Sequence, residues 1–320
     1  MNRRNFLLTS ALFFGGIRNF GFANPQTDFK TLKIGYLPIT DHLLVIAKDF
    51  KGSNFTPIKF PSWVDLSEAL RSKSIDGAFI LTPLALRLKS QGLDIKAIMA
   101  AHRNGSALVV KKGFLGDSNK RDITQLKGLK IAIPSRFSTH YLLLSNLLSQ
   151  ANLTTDDVTL IDMAPTEMLS ALSSNSIDAF IVAEPFCIAA ENAKLADVFI
   201  LSKDILNNHI CCVLTFHQQI LEQQSQNITA LVGDFLESAN FIHNKPQEAA
   251  KLSNKFLGQR VPLIENLLSQ DKRVIYEHLK LTPEDISHTI KNMEDFKIAK
   301  LNITFEDFVD SHFIDLAGKA

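Results

Sequence analysis

Residues 66–86 (LSEALRSKSIDGAFILTPLAL) are matched without a gap by residues 168–188 (MLSALSSNSIDAFIVAEPFCI) at an offset of 102, and seven of the 21 paired positions are identical. Self-similarity of this kind restricts the fold more than composition does, because each copy must be one supersecondary unit. Each reads as an amphipathic helix, a polar turn closing on Ser-Ile-Asp, a short apolar run, and a proline that opens a further helix, where its fixed φ and missing N–H do no harm. The apolar runs 78–81 and 180–183 suit strands buried on both faces, as parallel sheets require. A second correspondence precedes each copy. Lys33-Ile34-Gly35-Tyr36-Leu37-Pro38 and Lys130-Ile131-Ala132-Ile133-Pro134 read as strands ending in proline, each followed by a polar loop and an apolar helix. The pattern predicts two open α/β lobes.

Length and composition agree. The 320 residues allow about two domains of roughly 100–200 residues each. Apolar residues are 46% and charged residues 21%, a globular balance. With 34 basic against 33 acidic residues there is no general basic field, so no nucleic-acid partner is expected. Three cysteines exclude a disulfide-dense scaffold.

Residues 1–23 read as an export signal: Arg3 and Arg4, then an apolar run over 6–17, then Gly21-Phe22-Ala23 as a small-x-small cleavage site. The adjacent arginines suit the twin-arginine route, which carries folded proteins. Cleavage near Ala23 would remove three arginines and leave a net charge of −2. A periplasmic location is expected, which argues against ATP- or dinucleotide-dependent chemistry; no Gly-rich phosphate fingerprint is present either. No cofactor is expected.

The lobe boundaries are expected at 30–111 and 215–320 for the first lobe and 116–209 for the second, with crossovers near 111–116 and 209–214. Beyond 215 the chain reads as helical, with Thr282-Pro283-Glu284-Asp285 and Thr304-Phe305-Glu306-Asp307 as capping boxes.

In open α/β sheets, ligands bind beyond the carboxyl ends of the strands. The candidate ligand-binding residues are therefore those of the strand-end loops: Thr40, Asp41, His42, Trp63, Thr82, Asn104, Ser106, Ser138, Thr139, His140 and Glu184. Several of these loops open helices, whose unpaired N–H groups suit a small anion. Helix capping accounts equally for Thr40, Asp41 and Ser138 taken singly. Trp63 serves either as a ring platform for the solute or as a core anchor. Arg103 and Arg136 have the fork geometry to pair with an anion. His42, His102 and His140 read as neutral hydrogen-bonding groups, and Glu184 as a brace for a neighbouring donor or for a ligand ammonium. His209-Ile210-Cys211-Cys212, with Cys187, offers a soft ligand set. Adjacent cysteines in a strand would face opposite ways, so only Cys211 joins the candidate site and no metal is expected. No hydrolase elbow, HExxH, CxxC pair or catalytic triad stands out, and no enzyme activity is expected.

Gly35-Tyr36-Leu37-Pro38-Ile39-Thr40-Asp41, Trp63, residues 74–83, Ser138-Thr139-His140-Tyr141, Asp157-Val158-Thr159-Leu160, Asp178-Ala179-Phe180 with Glu184-Pro185, and His209-Ile210-Cys211-Cys212 together resemble the nitrate/sulfonate/bicarbonate-type substrate-binding proteins of bacterial ABC importers, a group that also contains the fungal thiamine-pyrimidine synthesis proteins. The resemblance runs over about 32–213. It implies a two-lobed periplasmic-binding-protein-like (type II) fold with a cleft between the lobes and a helical C-terminal tail packed on the first lobe. It also implies a monomer that closes on a small anionic solute and docks on an ABC permease in the inner membrane. Where nitrate and bicarbonate binders have small residues and a proline after the first strand, this chain carries His42-Leu43-Leu44. A thiamine-pyrimidine precursor as solute, a metal-dependent enzyme or metal carrier using His209 and Cys211, and a sensory receptor feeding a membrane kinase remain the alternatives.

Overall fold

The computed structural model describes residues 30–116 and 121–319; the export signal read over 1–23 lies outside the described residues. The strands are β1 (Leu32–Tyr36), β2 (Phe55–Lys59), β3 (Gly77–Leu81), β4 (Ile95–Ala100), β5 (Arg103–Asn104), β6 (Ser106–Lys111), β7 (Lys130–Ile133), β8 (Thr159–Asp162), β9 (Ala179–Ala183), β10 (Ala196–Leu201), β11 (Cys212–His217) and β12 (Val274–Ile275). They form two five-stranded sheets, ordered β2-β1-β3-β11-β4 and β8-β7-β9-β6-β10, and a two-stranded ribbon of β5 and β12. In the first sheet β1 runs parallel to β2 and β3, and β7 does the same with β8 and β9 in the second. Each sheet also takes one antiparallel strand from the other half of the chain. β11 enters the first beside β3, and β6 enters the second beside β9. The duplicated sequence is therefore a duplicated sheet with one strand exchanged.

The shared Ser-Ile-Asp has a specific task. The Asp76 carboxylate accepts from Lys33 N at 2.7 Å while Asp76 N donates to Lys33 O at 2.8 Å. Asp178 repeats this on Lys130 at 2.8 and 2.9 Å. Each Asp thus clips the start of the central parallel strand, β1 or β7, to the next one, β3 or β9, both of which are buried along their whole length. Removing the acceptor leaves a strand-end N–H unpaired. Asp178→Ala is expected to lower stability by about 1.5–3 kcal/mol, the range for a hydrogen bond to a charged group, read as a shifted urea midpoint with unchanged slope. The copies differ at Gly77 and Ala179 because a Cβ at 77 would meet Thr215 O and Phe216 Cδ1, each at 2.5 Å.

The first passage between sheets lies at residues 101–105, earlier than the 111–116 expected from sequence. The Lys111-Lys112-Gly113 turn only ends β6, which already belongs to the second sheet. The chain turns instead at Asn104 and Gly105, both in the left-handed region with φ of 59° and 87°. The return passage runs between Leu201 and Cys212. The two passages are tied together where Arg103 bridges Ile210 and Asn104 N donates to His209 O at 2.9 Å.

The tail helix Ser225–Asn244 docks on the first lobe through Phe235, whose ring meets Phe55 and Phe79 edge-on at 5.6 and 5.5 Å. Helices Pro283–Asp295 and Phe305–Phe308 begin with complete capping boxes at Thr282/Asp285 and Thr304/Asp307. Among the described residues no helix is long and apolar enough to cross a membrane.

Candidate functional site

The carboxyl ends of β1 and β3 meet those of β7 and β9 across a closed seam. Two main-chain carbonyls hold it. Glu184 O, just beyond β9, accepts from Thr40 N at 2.8 Å and Thr40 Oγ1 at 3.1 Å. Cys211 O accepts from Thr82 N and Oγ1, on the first lobe, at 2.9 and 3.0 Å, and from Thr139 Oγ1, on the second, at 3.1 Å. Tyr276, from the tail, donates its hydroxyl to Thr40 O at 2.6 Å. The three threonines expected to contact solute are thus brought together, but in this closed form their hydroxyls serve the clasp.

Behind the clasp lies a fully buried polar chamber. Asp41, His42, His102 and His140 have no exposed surface, nor do Cys211 and Cys212. His102 Nε2 stands 3.0 Å from Asp41 Oδ2, an ion pair whose N–H is not aligned for a formed hydrogen bond. The Cys212 thiol lies 3.8 Å from the same oxygen. Asp41, His102, Cys211 and Cys212 each present one donor atom, and these atoms lie within 4.8 Å of one another. Asp41 Oδ1, His102 Nδ1, His140 Nδ1, His42 Nε2 and His209 Nε2 have no hydrogen-bond partner among the described residues. Gly105 roofs the chamber: a Cβ there would sit 3.0 Å from His102 Nδ1 and 3.1 Å from Asp41 Oδ1, so only glycine leaves that space open.

Burial sets most of the charges here, because a low-dielectric interior disfavours ions. It pushes His42 and His209 down to about 3 and His140 to about 4, so all three are neutral. For His102 burial works downward too, but the Asp41 carboxylate beside it, helped by Cys211, outweighs burial and lifts it to about 10. Asp41 is correspondingly held low: burial opposes its charge, and His102 more than compensates. Burial drives the Cys212 thiol well up.

The other expected site residues are divided. His42 Nδ1 accepts from Leu37 N at 2.8 Å, and its ring stacks on Phe79 and meets Trp63 edge-on, both at 5.6 Å. Trp63 is therefore a buried wall behind His42. It also lines a groove of about 480 Å³, with Arg87 and Phe137, where the seam reaches the surface. Ser106 Oγ is 3.0 Å from His140 Nε2. Ser138 caps the helix Thr139–Ser149, accepting from Tyr141 N. Asn104 is committed to backbone, donating to Lys272 O and accepting from Asn208 N.

Glu184 faces an arginine the sequence did not single out. Arg273 Nε donates to its Oε1 at 2.7 Å, and the same guanidinium reaches Glu191. Arg103 forks onto Asp285 at 2.9 and 2.9 Å, and Arg136 is exposed. Cys187 packs away from the chamber, its thiol on Ala107 O and Val182 O.

The expectation that vicinal cysteines diverge is corrected. Cys212 opens β11, opposite Leu81, whereas Cys211 precedes the strand at the crossover, outside the pleat that would alternate their faces. Both thiols therefore join the chamber. The signal in the sequence was the crossover itself, where strand alternation does not apply.

Two sheets with one exchanged strand each, clasped at their carboxyl ends, define the two-lobed periplasmic-binding-protein-like fold. The chain belongs to the NMT1-like family, whose model matches residues 26–257. It is 30% identical over 238 residues to the nitrate import ATP-binding protein NrtC of Synechocystis, covering 67% of this chain and 35% of that one, so it spans about a third of that protein's length. The ligand-binding component of an ABC-type import system from Staphylococcus aureus, solved with zinc bound, superposes with a TM-score of 0.81 at 26% identity over 90% of this chain and 99% of that one. The periplasmic nitrate-binding protein NrtA of Synechocystis gives 0.78 at 16% identity over 91% and 89%.

Proposed function

We propose that this chain is an extracytoplasmic solute-binding protein that closes its lobes on a small solute and delivers it to the permease of an ABC importer, without catalysing a reaction. The observation that carries this is the buried chamber. Its walls come from the ends of both sheets, and several of its polar atoms, Asp41 Oδ1 and His102 Nδ1 among them, have no hydrogen-bond partner among the described residues while the lobes are clasped over them. Closure is then a two-state hinge motion that a solute drives by binding the closed form better. Kinship with nitrate-import proteins makes a small oxyanion such as nitrate, bicarbonate or a sulfonate one solute class to test. The signal-like residues 1–23 support a periplasmic location reached by the twin-arginine route.

The test is a solute panel read by small-angle scattering and thermal shift. A true solute at 100 times its Kd stabilises the closed form by about 2.7 kcal/mol, contracts the radius of gyration and alters Trp63 fluorescence. Thr139→Ala, which removes a clasp bond between the lobes, is expected to weaken that solute roughly fivefold, for about 1 kcal/mol per hydrogen bond. Failure of every solute, oxyanion or cation, to contract the chain would exclude the receptor reading.

A further inference from the structure

We propose that the chamber holds a single thiophilic transition-metal ion, ligated by Asp41, His102, Cys211 and Cys212. The inference rests on the receptor reading and assigns the cargo of the same site.

The donor set is the first argument. One carboxylate, one imidazole and two thiols are the ligands that zinc-like ions take, and in tetrahedral sites they stand at about 2.0–2.3 Å from the metal. Ligand atoms around such an ion are therefore about 3.3–3.8 Å apart, from the same bond lengths. The four donors here already lie within 4.8 Å of one another, so about 1 Å of contraction completes the shell. All four residues are wholly buried, which removes the solvated acidic surface that gives false clusters.

The second argument is what the protein leaves undone. Asp41 Oδ1 and His102 Nδ1 have no hydrogen-bond partner among the described residues, and both face the point where Gly105 lacks a Cβ. Unpartnered polar atoms in an interior are costly, and converging ones imply an absent partner. The hydroxyls that would suit an oxyanion, those of Thr40, Thr82 and Thr139, are already donated to main-chain carbonyls. What remains facing inward is a carboxylate, two thiols and imidazoles, the donor set of a soft cation that displaces their protons. Two thiols also discriminate, since Mg²⁺ and Ca²⁺ take oxygen ligands while soft thiolates favour zinc or cuprous ions. Binding is an acid–base exchange without electron transfer: each Cys thiol that ligates, and the His102 imidazolium, lose a proton to solvent as their bonds to the metal form. His42, His140 and His209 surround this shell as neutral imidazoles.

The experiment uses the full chain, reduced and stripped with a chelator, titrated with Zn²⁺ against a chromophoric competitor and, in parallel, with Co²⁺, whose thiolate charge-transfer absorption reports sulfur ligation. The expected result is one Zn²⁺ per chain and a cobalt–thiolate band. Cys211→Ser, Cys212→Ser and Asp41→Asn should each weaken Zn²⁺ by more than the roughly 10–100-fold seen when only outer partners of a metal are lost. Cys187→Ser, outside the cluster, should leave affinity unchanged. Circular dichroism of each apo variant confirms that it is folded. Three outcomes overturn the proposal: no stoichiometric Zn²⁺ on folded protein, equal binding by the four variants, or a cobalt complex without the thiolate band. If an oxyanion contracts the chain and Zn²⁺ does not bind, the receptor reading stands and the metal assignment falls. If Zn²⁺ binds at these residues and neither it nor any other solute contracts the chain, the site stands and the receptor reading falls.

Discussion

Arg273→Met is expected to destabilise the protein by about 3–5 kcal/mol, the cost of leaving a buried charge without its partner. Glu184 is completely buried, and the Arg273 guanidinium lies against it, 4% exposed, while also reaching Glu191. Burial works against the charge of Arg273, but Glu184 and Glu191 together hold it firmly protonated. Methionine keeps much of the side-chain volume and removes only the cation, so the loss reads the electrostatics rather than a cavity. The check is urea denaturation of Arg273→Met beside the double variant Glu184→Gln, Arg273→Met. The double variant should recover a large part of the loss, because no buried charge is then stranded. If the single variant lost under 1 kcal/mol, the pair would have to be hydrated in solution.

Phe235→Ala has an expected cost of similar size, about 3–5 kcal/mol for a buried phenylalanine, from lost transfer energy and the cavity left behind. Its consequence is more directional. Phe235 packs on Phe55 and Phe79, and Phe79 in turn stacks under His42 at the chamber wall. Detaching the tail helix at this point should loosen His42 and Trp63 together. The expected reading is a lowered unfolding midpoint with a changed Trp63 emission in the still-folded protein. An unchanged emission would show that the tail is only a prop and does not set the chamber wall.

Much of the scaffold was legible in the sequence because it rests on local signals used twice. The duplicated Ser-Ile-Asp marks two strand starts that need the same carboxylate clip, and the Thr-Pro-x-Asp pattern caps the tail helix Pro283–Asp295 through its own hydroxyl and carboxylate. The strand-end rule brought Thr40, Thr82 and Thr139 to one place, but it could not say that main-chain carbonyls would take their hydroxyls. The position of the first crossover was obscured because Asn104-Gly105 is the signature of any tight turn, and only the exchange of β6 into the second sheet makes it a crossover. Arg273 lies 89 residues from Glu184, beyond any spacing argument. Cys212 was misplaced because alternation was applied one residue before the strand begins.

Cys211 carries two duties in one residue. Its carbonyl is gripped by threonines from opposite halves of the molecule, and its sulfur looks inward. Anything that draws on that sulfur tugs the same peptide unit on which the halves are fastened. Under the proposed metal site, news of cargo would have only a few bonds to travel, and loading and shutting would be a single mechanical event without a long relay through the body of either half.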